Sequence, residues 1–408
     1  MSGIRPSAGG RLTEIDILRG LAIALMALDH VRDYFFEGGF RVNPLDPAQT
    51  TAWLYVTRWV THLCAPTFVL LAGVSIYLQR FRGKTTERLS TFLLVRGFWL
   101  IALELTVLSF AWSFAMPYLL FMQVIWAIGW CMVVMAALVW LPRWLVLAVG
   151  IAIVGGHNLL DSITSEQFGS LGVLWKFLHE GGLLSDERGP HALIAYAVLP
   201  WIGVMALGYG LGGLFTDARP GRDRKIFLLG VAMLVDFVAL RSFDGYGNPA
   251  APANLGQYGD VADWHAQSDA RATLMAFFNV QKYPPSLQFT LVTLGAVFAL
   301  WPLLARLRGP VAGFLATFGA VPLFFYVLHV YVVHLLAVAA NAAAGRDVSG
   351  LFDFMRNGFM GSPLLEGLGF PLPGVYLAWA AVLVLLYFPC RWWVRLKTER
   401  RDWWLSYL

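Results

Sequence analysis

Apolar runs of membrane-spanning length recur from one end of this chain to the other, and no other feature constrains its fold as strongly. The hydrocarbon core of a bilayer takes about 20 apolar residues of helix per crossing. Within it, each backbone N–H and C=O must find its partner inside the segment. The runs predict helices near 15–36, 53–79, 90–112, 117–140, 143–160, 192–215, 226–241, 286–304, 312–340 and 374–392. The expected fold class is therefore all-α: a polytopic integral membrane protein of about ten transmembrane helices. Of the 408 residues 58% are hydrophobic and 13% charged, about half the charge of an ordinary soluble domain. That leaves no stretch for a separate soluble unit, so 1–408 is read as a single transmembrane domain.

The loops supply an orientation, because Lys and Arg concentrate on the cytoplasmic side. Alternate loops hold Arg80, Arg82, Lys84 and Arg88, then Arg143, then Arg219, Arg222, Arg224 and Lys225, then Arg306 and Arg308. Arg5 and Arg11 before the first helix and the basic tail 391–408 fall on the same side, which makes both termini cytoplasmic. The opposite side receives longer segments near 37–52, 161–191, 242–285 and 341–373. Their aromatic residues, Tyr246, Tyr258 and Trp264 among them, could stack on sugar rings or simply pack as a lid. The opening residues lack a short apolar core with a small-residue cleavage site, so the first helix is expected to be retained.

The net charge of +5 follows from these loops, and with no nucleic-acid motif beside it no nucleic-acid partner is expected. Cys64, Cys131 and Cys390 show neither disulfide nor metal-ligand spacing, and no metal is expected. No internal repeat is evident, which argues mildly against the repeat-built transporter folds.

The first helix contains "ILRGLAIALMALDH", residues 17–30, which places Arg19, Asp29 and His30 in a membrane-length run. Eleven residues are about three turns, so Arg19 and His30 lie within ~20° of one face and roughly 16 Å apart along the axis. An Arg at a helix start also serves by snorkelling to headgroups, and a His–Asp pair by packing. Ionisable groups within a span nonetheless usually face a bundle interior or a cavity. Arg58 and His62 share a face of the second span, and Tyr326 and His329 share one near the end of the chain. A lone membrane His is more often a helix–helix partner; three spans each offering one at similar depth point to a shared polar chamber. Arg96, Glu104, Gln123 and Asp236 are assigned to packing or charge pairing. "KYPPSLQFT", 282–290, reads as the start of a helix, with Lys282, Tyr283 and Ser286 at the chamber's outer mouth.

This layout suits an acyl donor made in the cytoplasm and an acceptor waiting outside. Cations at the inner face (Arg19, Arg82 and Lys84) would bind the phosphates of an acyl-coenzyme A. A base further across would serve the reacting carbonyl. The Arg19–His30 separation is comparable with an extended pantetheine arm, on the order of 15–20 Å, much like eleven residues of helix. His30 is then the candidate base or acyl carrier, with Asp29 as its orienter. Arg58, His62, Tyr283, Ser286, Tyr326 and His329 are candidates for acceptor binding or proton relay. Direct transfer and an acyl-histidine intermediate both fit.

"DILRGLAIALMALDH" resembles the first-helix signature of transmembrane acyltransferases, including the Arg-x10-His motif of the acyltransferase-3 proteins. "RLTEIDILRGLAIALMALDH", "APTFVLLAGVSIYL", "KYPPSLQFTLVTLG" and "VPLFFYVLHVYVVHLL" together resemble a bacterial membrane family related to the catalytic domain of heparan-alpha-glucosaminide N-acetyltransferase. These blocks cover residues 11–340. The resemblance implies transfer of an acyl group, by preference acetyl, from cytoplasmic acetyl-CoA or another acyl-CoA to a glycan or glycolipid acceptor across a bacterial cytoplasmic (inner) membrane. It leaves a homo-oligomer open. The lysosomal enzyme's catalytic histidine lies in the loop after its first helix, whereas residues 31–61 here contain no His, so His30 takes the base role in this reading. The rival reading is a proton-coupled transporter or flippase using the same His and Asp groups.

Overall fold

The computed structural model of the protein describes residues 13–187, 189–216, 221–249, 264–400 and 402–407. Arg5, Arg11, Arg219 and Tyr258 lie outside the described residues. About three-quarters of the structure is helical, with few strands among the described residues. Its principal helices are α1 (Thr13–Phe35), α2 (Ala52–Phe81), α3 (Thr86–Ser113), α4 (Val124–Leu138), α5 (Arg143–Leu160), α6 (Val198–Thr216), α7 (Gly221–Phe243), α8 (Leu287–Arg306), α9 (Pro310–Ala320), α10 (Pro322–Ala343) and α11 (Leu372–Glu399).

Eight of these are long and apolar enough to cross a membrane by length and composition: α2, α3, α5, α6, α7, α8, α10 and α11. α1 has the length but carries Glu14, Asp16, Arg19, Asp29, Arg32 and Asp33 within its 23 residues. It is nevertheless buried along most of its length, with Ala27 and Val31 fully enclosed. The helix is thus a central element surrounded by others, and its polar groups face protein. Three of the expected runs need correction. The run 312–340 is two helices, not one: Val321 leaves the helical conformation and Pro322, which has no N–H to donate, starts α10 afresh. The runs 117–140 and 192–215 are helical only from Val124 and Val198 onward, and residues 192–194 are in a strand.

Residues 120–122 instead form a strand, β1 (Leu120–Met122), in a small three-stranded sheet with β2 (Gly182–Asp186) and β3 (Gly189–Ile194). β3 is central, parallel to β1 and antiparallel to β2. The sheet brings the 161–191 segment back against the helices, so Phe121 and Leu193 become walls of a cavity. α1 crosses α9 with backbones in contact: a Cβ on Gly20 would lie 1.9 Å from the Leu315 carbonyl oxygen, and one on Gly319 1.9 Å from that of Asp16. Only glycine permits that approach.

Candidate active site

Two cavities lie one above the other along α1. Residues Arg19, Ile23 and Met26, spaced at three to four, line the first; Asp29, His30 and Asp33 line the second. The first, of about 1020 Å³, is walled by α1, α2, α3, α4 and the start of α10, and is apolar except for Arg19, Ser75, Gln79 and Arg96 near one end and Tyr326 at the other. The second, of about 600 Å³, mixes charged and aromatic groups: Asp29, His30, Asp33, Arg58, Trp112, Gln123, Tyr196, Lys282 and Tyr283. A polar contact joins the two. Tyr326, which lines the first cavity, donates its hydroxyl to Gln123 Oε1, which lines the second, at 3.1 Å.

Within the second cavity the hydrogen bonds determine the tautomer of His30. His329 Nδ1 faces the carbonyl oxygens of Tyr326 and Phe325 at 2.5 and 3.3 Å, and carbonyls only accept. Nδ1 therefore carries the proton and His329 Nε2 the lone pair. His30 Nδ1 stands 2.7 Å from that Nε2 and must be the donor. The lone pair of His30 is left on Nε2, in a ring that lines the cavity. An imidazole so arranged is a base, oriented by a buried neutral neighbour. The edge of Trp112 closes one side, with ring centroids 4.9 Å apart.

Asp29 does not hold His30. Its two oxygens accept from Arg58 Nη1 at 2.9 and 2.7 Å, and Arg32 Nη2 approaches at 3.1 Å and also pairs with Asp33 at 2.5 Å. Two guanidinium groups and two carboxylates thus form one compact network beside the base. Arg58 is only 3% exposed, so the network is a buried one whose charges depend on each other. Lys282 Nζ lies 5.0 Å from the centre of the Tyr283 ring. Burial alone would push the Tyr283 hydroxyl up; the positive charges of Lys282 and Arg58 outweigh it and hold the group below its ordinary value.

The remaining expected residues divide between the two cavities and the walls behind them. Arg19 donates to the Gly319 carbonyl at 3.2 Å and to Ser75 Oγ at 3.1 Å, joining α1, α9 and α2 at the polar end of the first cavity. Lys84 donates to Gln79 Oε1 at 3.1 Å and sits 3.8 Å above the ring of Phe92, and both of those residues line that cavity. Arg82, at the end of α2, does not line it. His62 is buried behind the second cavity with its ring 5.5 Å from Phe289. Ser286 is the N-cap of α8, its Oγ accepting from Phe289 N.

Sequence reasoning missed Asp33, Trp112, Gln123 and Tyr196 as cavity residues, and Arg96 in the first cavity. Asp33 follows Asp29 by four residues on one helix face and could have been found from spacing. Tyr196 lies between β3 and α6 and carries no such signal.

A family model described as "Heparan-alpha-glucosaminide N-acetyltransferase, catalytic" matches residues 11–240. The match takes in α1 to α6 and most of α7, and with them Arg19, Asp29, His30 and Arg58; Lys282, Tyr283, Tyr326 and His329 lie beyond it. No curated protein matches the chain.

Proposed function

The chain belongs to the heparan-alpha-glucosaminide N-acetyltransferase catalytic family, matched over more than half its length, and from that premise we propose that it moves an acetyl group from cytoplasmic acetyl-CoA to a glycan-type acceptor on the outer side of a bacterial cytoplasmic membrane. The observation that carries this reading is the stacking of two cavities along one helix, with Arg19 in one and His30 in the other. The long, mainly apolar cavity suits a pantetheine arm, its phosphates outside and near Lys84, Arg19 and Arg96. The polar cavity suits a sugar, whose hydroxyls need charged and amide partners and whose ring faces stack on aromatic side chains.

In the proposed reaction His30 Nε2 takes a proton from the acceptor's hydroxyl or amine. The freed lone pair attacks the thioester carbonyl, and the new C–O or C–N bond forms. The developing oxyanion is met by the Lys282 ammonium and Tyr283 hydroxyl. The intermediate collapses by breaking C–S, and the proton passes from His30 to the departing thiolate. His329 holds the imidazole in orientation and accepts the Nδ1 hydrogen bond that strengthens when the ring becomes cationic. With the donor assigned to one cavity and the acceptor to the other, transfer is direct in this proposal.

Initial rates measured in proteoliposomes against both substrates test this. Lines that intersect in double-reciprocal plots, with transfer abolished in His30→Ala, are the expected outcome. Parallel lines with a trappable acyl-enzyme would replace direct transfer by an acyl-histidine. Absence of acetyl-CoA binding in calorimetry, or undiminished transfer by His30→Ala, would remove the assignment altogether.

A further inference from the structure

The outer end of α5 holds a group of side chains that acyl transfer does not use. His157 closes that helix, Asp161 follows one turn later, and His179 comes from the short helical turn Lys176–Glu180 that folds back onto it. One ligand atom from each lies within 4.8 Å of the others. His179 Nε2 and Asp161 Oδ1 are 3.6 Å apart. That is close to the roughly 3.4 Å between neighbouring ligands of a tetrahedral ion bound at 2.0–2.1 Å.

His157 and Asp161 are already disposed as ligands, and His179 becomes one by a change of tautomer. His157 is 3% exposed, and its Nδ1 is buried with no hydrogen-bond partner. The backbone of Pro285 lies within hydrogen-bonding reach of the same ring. With the ring proton turned to that carbonyl, Nδ1 carries the lone pair, the arrangement in which metal-binding imidazoles are usually fixed. Asp161 uses Oδ2 to accept from Asn158 Nδ2 at 2.9 Å, and Oδ1 is the oxygen facing His179. His179 Nε2 donates to the His157 carbonyl at 2.9 Å. An incoming ion takes this nitrogen once the proton moves to Nδ1, a change of tautomer with no net proton release.

We propose that His157, Asp161 and His179 bind a divalent transition-metal ion, zinc by preference, with one position open to water. Two imidazoles and a carboxylate are a borderline-hard donor set that suits zinc. The expectation of no metal rested on cysteine spacing, and this site contains no cysteine. Its place suggests the purpose. Asn158 Oδ1 accepts from Leu287 N at 2.9 Å, tying the end of α5 to the start of α8, a few residues after Lys282 and Tyr283. The ion pins the 161–180 segment to that junction and so steadies one wall of the polar cavity.

The test uses the full chain in detergent, purified through a tag without histidine, stripped with chelator and titrated with Zn²⁺ or Co²⁺. One ion per chain is expected, with the visible d–d absorption of four-coordinate Co²⁺. Asp161→Asn and His179→Gln should each weaken binding at least tenfold. Asp161→Asn keeps the side-chain shape, and its elution profile reports folding. His191→Gln, an exposed histidine elsewhere in the same region, should bind as wild type. Wild-type protein that retains no ion, ligand variants that bind undiminished, or equal loss in His191→Gln would each overturn the proposal.

Discussion

Replacing His329 by phenylalanine asks whether the two histidines work as a unit. Phenylalanine fills a similar planar volume beside Phe325 and Tyr326 but offers His30 Nδ1 no acceptor, where the wild-type chain answers it at 2.7 Å. When His30 takes a proton the bond becomes charge-assisted, worth about 1.5–3 kcal/mol. The neutral bond is already worth about 0.5–1.5 kcal/mol in the ground state, so the gain of about 1–1.5 kcal/mol, at about 1.36 kcal/mol per decade, is roughly 5- to 13-fold in kcat.

The assay is transfer of radiolabelled acetyl from acetyl-CoA to a hexosamine acceptor in proteoliposomes. The loss should fall on kcat, while KM for acetyl-CoA changes less than about twofold because Arg19 and Lys84 are untouched. His30→Ala should lose about 10²- to 10⁴-fold. The double variant should be no slower than His30→Ala, since groups acting as one unit are not additive. An unchanged kcat in His329→Phe, or a double variant slower by the full product of both effects, refutes the reasoning.

Other predictions concern the walls of the two cavities. Arg58→Met leaves Asp29 in a buried site without its shortest partner and should cost about 3–5 kcal/mol, read as earlier loss of monodisperse protein on heating; Asp29→Asn/Arg58→Gln should recover most of it. Gly319→Val drives a side chain into the Asp16 carbonyl and should lower stability by about 1–3 kcal/mol and weaken acetyl-CoA binding through Arg19; Gly313→Val, with open space around it, should do neither. Tyr326→Ala removes the partition between the cavities and should raise acceptor-independent hydrolysis of acetyl-CoA about fivefold or more, because a closed site is what keeps water from the thioester. A rise no larger than in Tyr326→Phe would mean that the ring is not the barrier.

Much of this was legible in the sequence. The ten apolar runs follow from elementary bilayer physics, and each contains a helix, though two begin in strand or loop and one is broken in two. The eleven-residue interval between Arg19 and His30 gave their shared face because helical periodicity is a local property. What could not be read are contacts between distant segments. Nothing local tells that Asp29 would close on Arg58 and not on the adjacent His30, or that His329 would arrive 299 residues later to accept from it. The break at Val321–Pro322 carried a signal, the proline, that the apolar run concealed. β1 was absorbed into a span because three apolar residues at a helix start have no period of their own.

The charge on α1 also bears on how the protein is made. At the centre of a membrane helix Asp or Arg adds about 2.5–3.5 kcal/mol to insertion, and α1 carries six Asp, Glu and Arg residues besides His30. As it leaves the ribosome its partners do not yet exist: Arg58 is 29 residues away and the Gly319 carbonyl that receives Arg19 is 300. α1 should therefore wait at the insertion machinery until α2 is synthesised and enter with it. Glycosylation mapping of nascent chains should find α1 poorly integrated when the chain ends before Arg58 and integrated once α2 is complete; efficient integration of α1 alone would contradict this. α1 lies ahead of both partners in the chain, so the cell must shelter for a time the very groups on which the finished cavities are built.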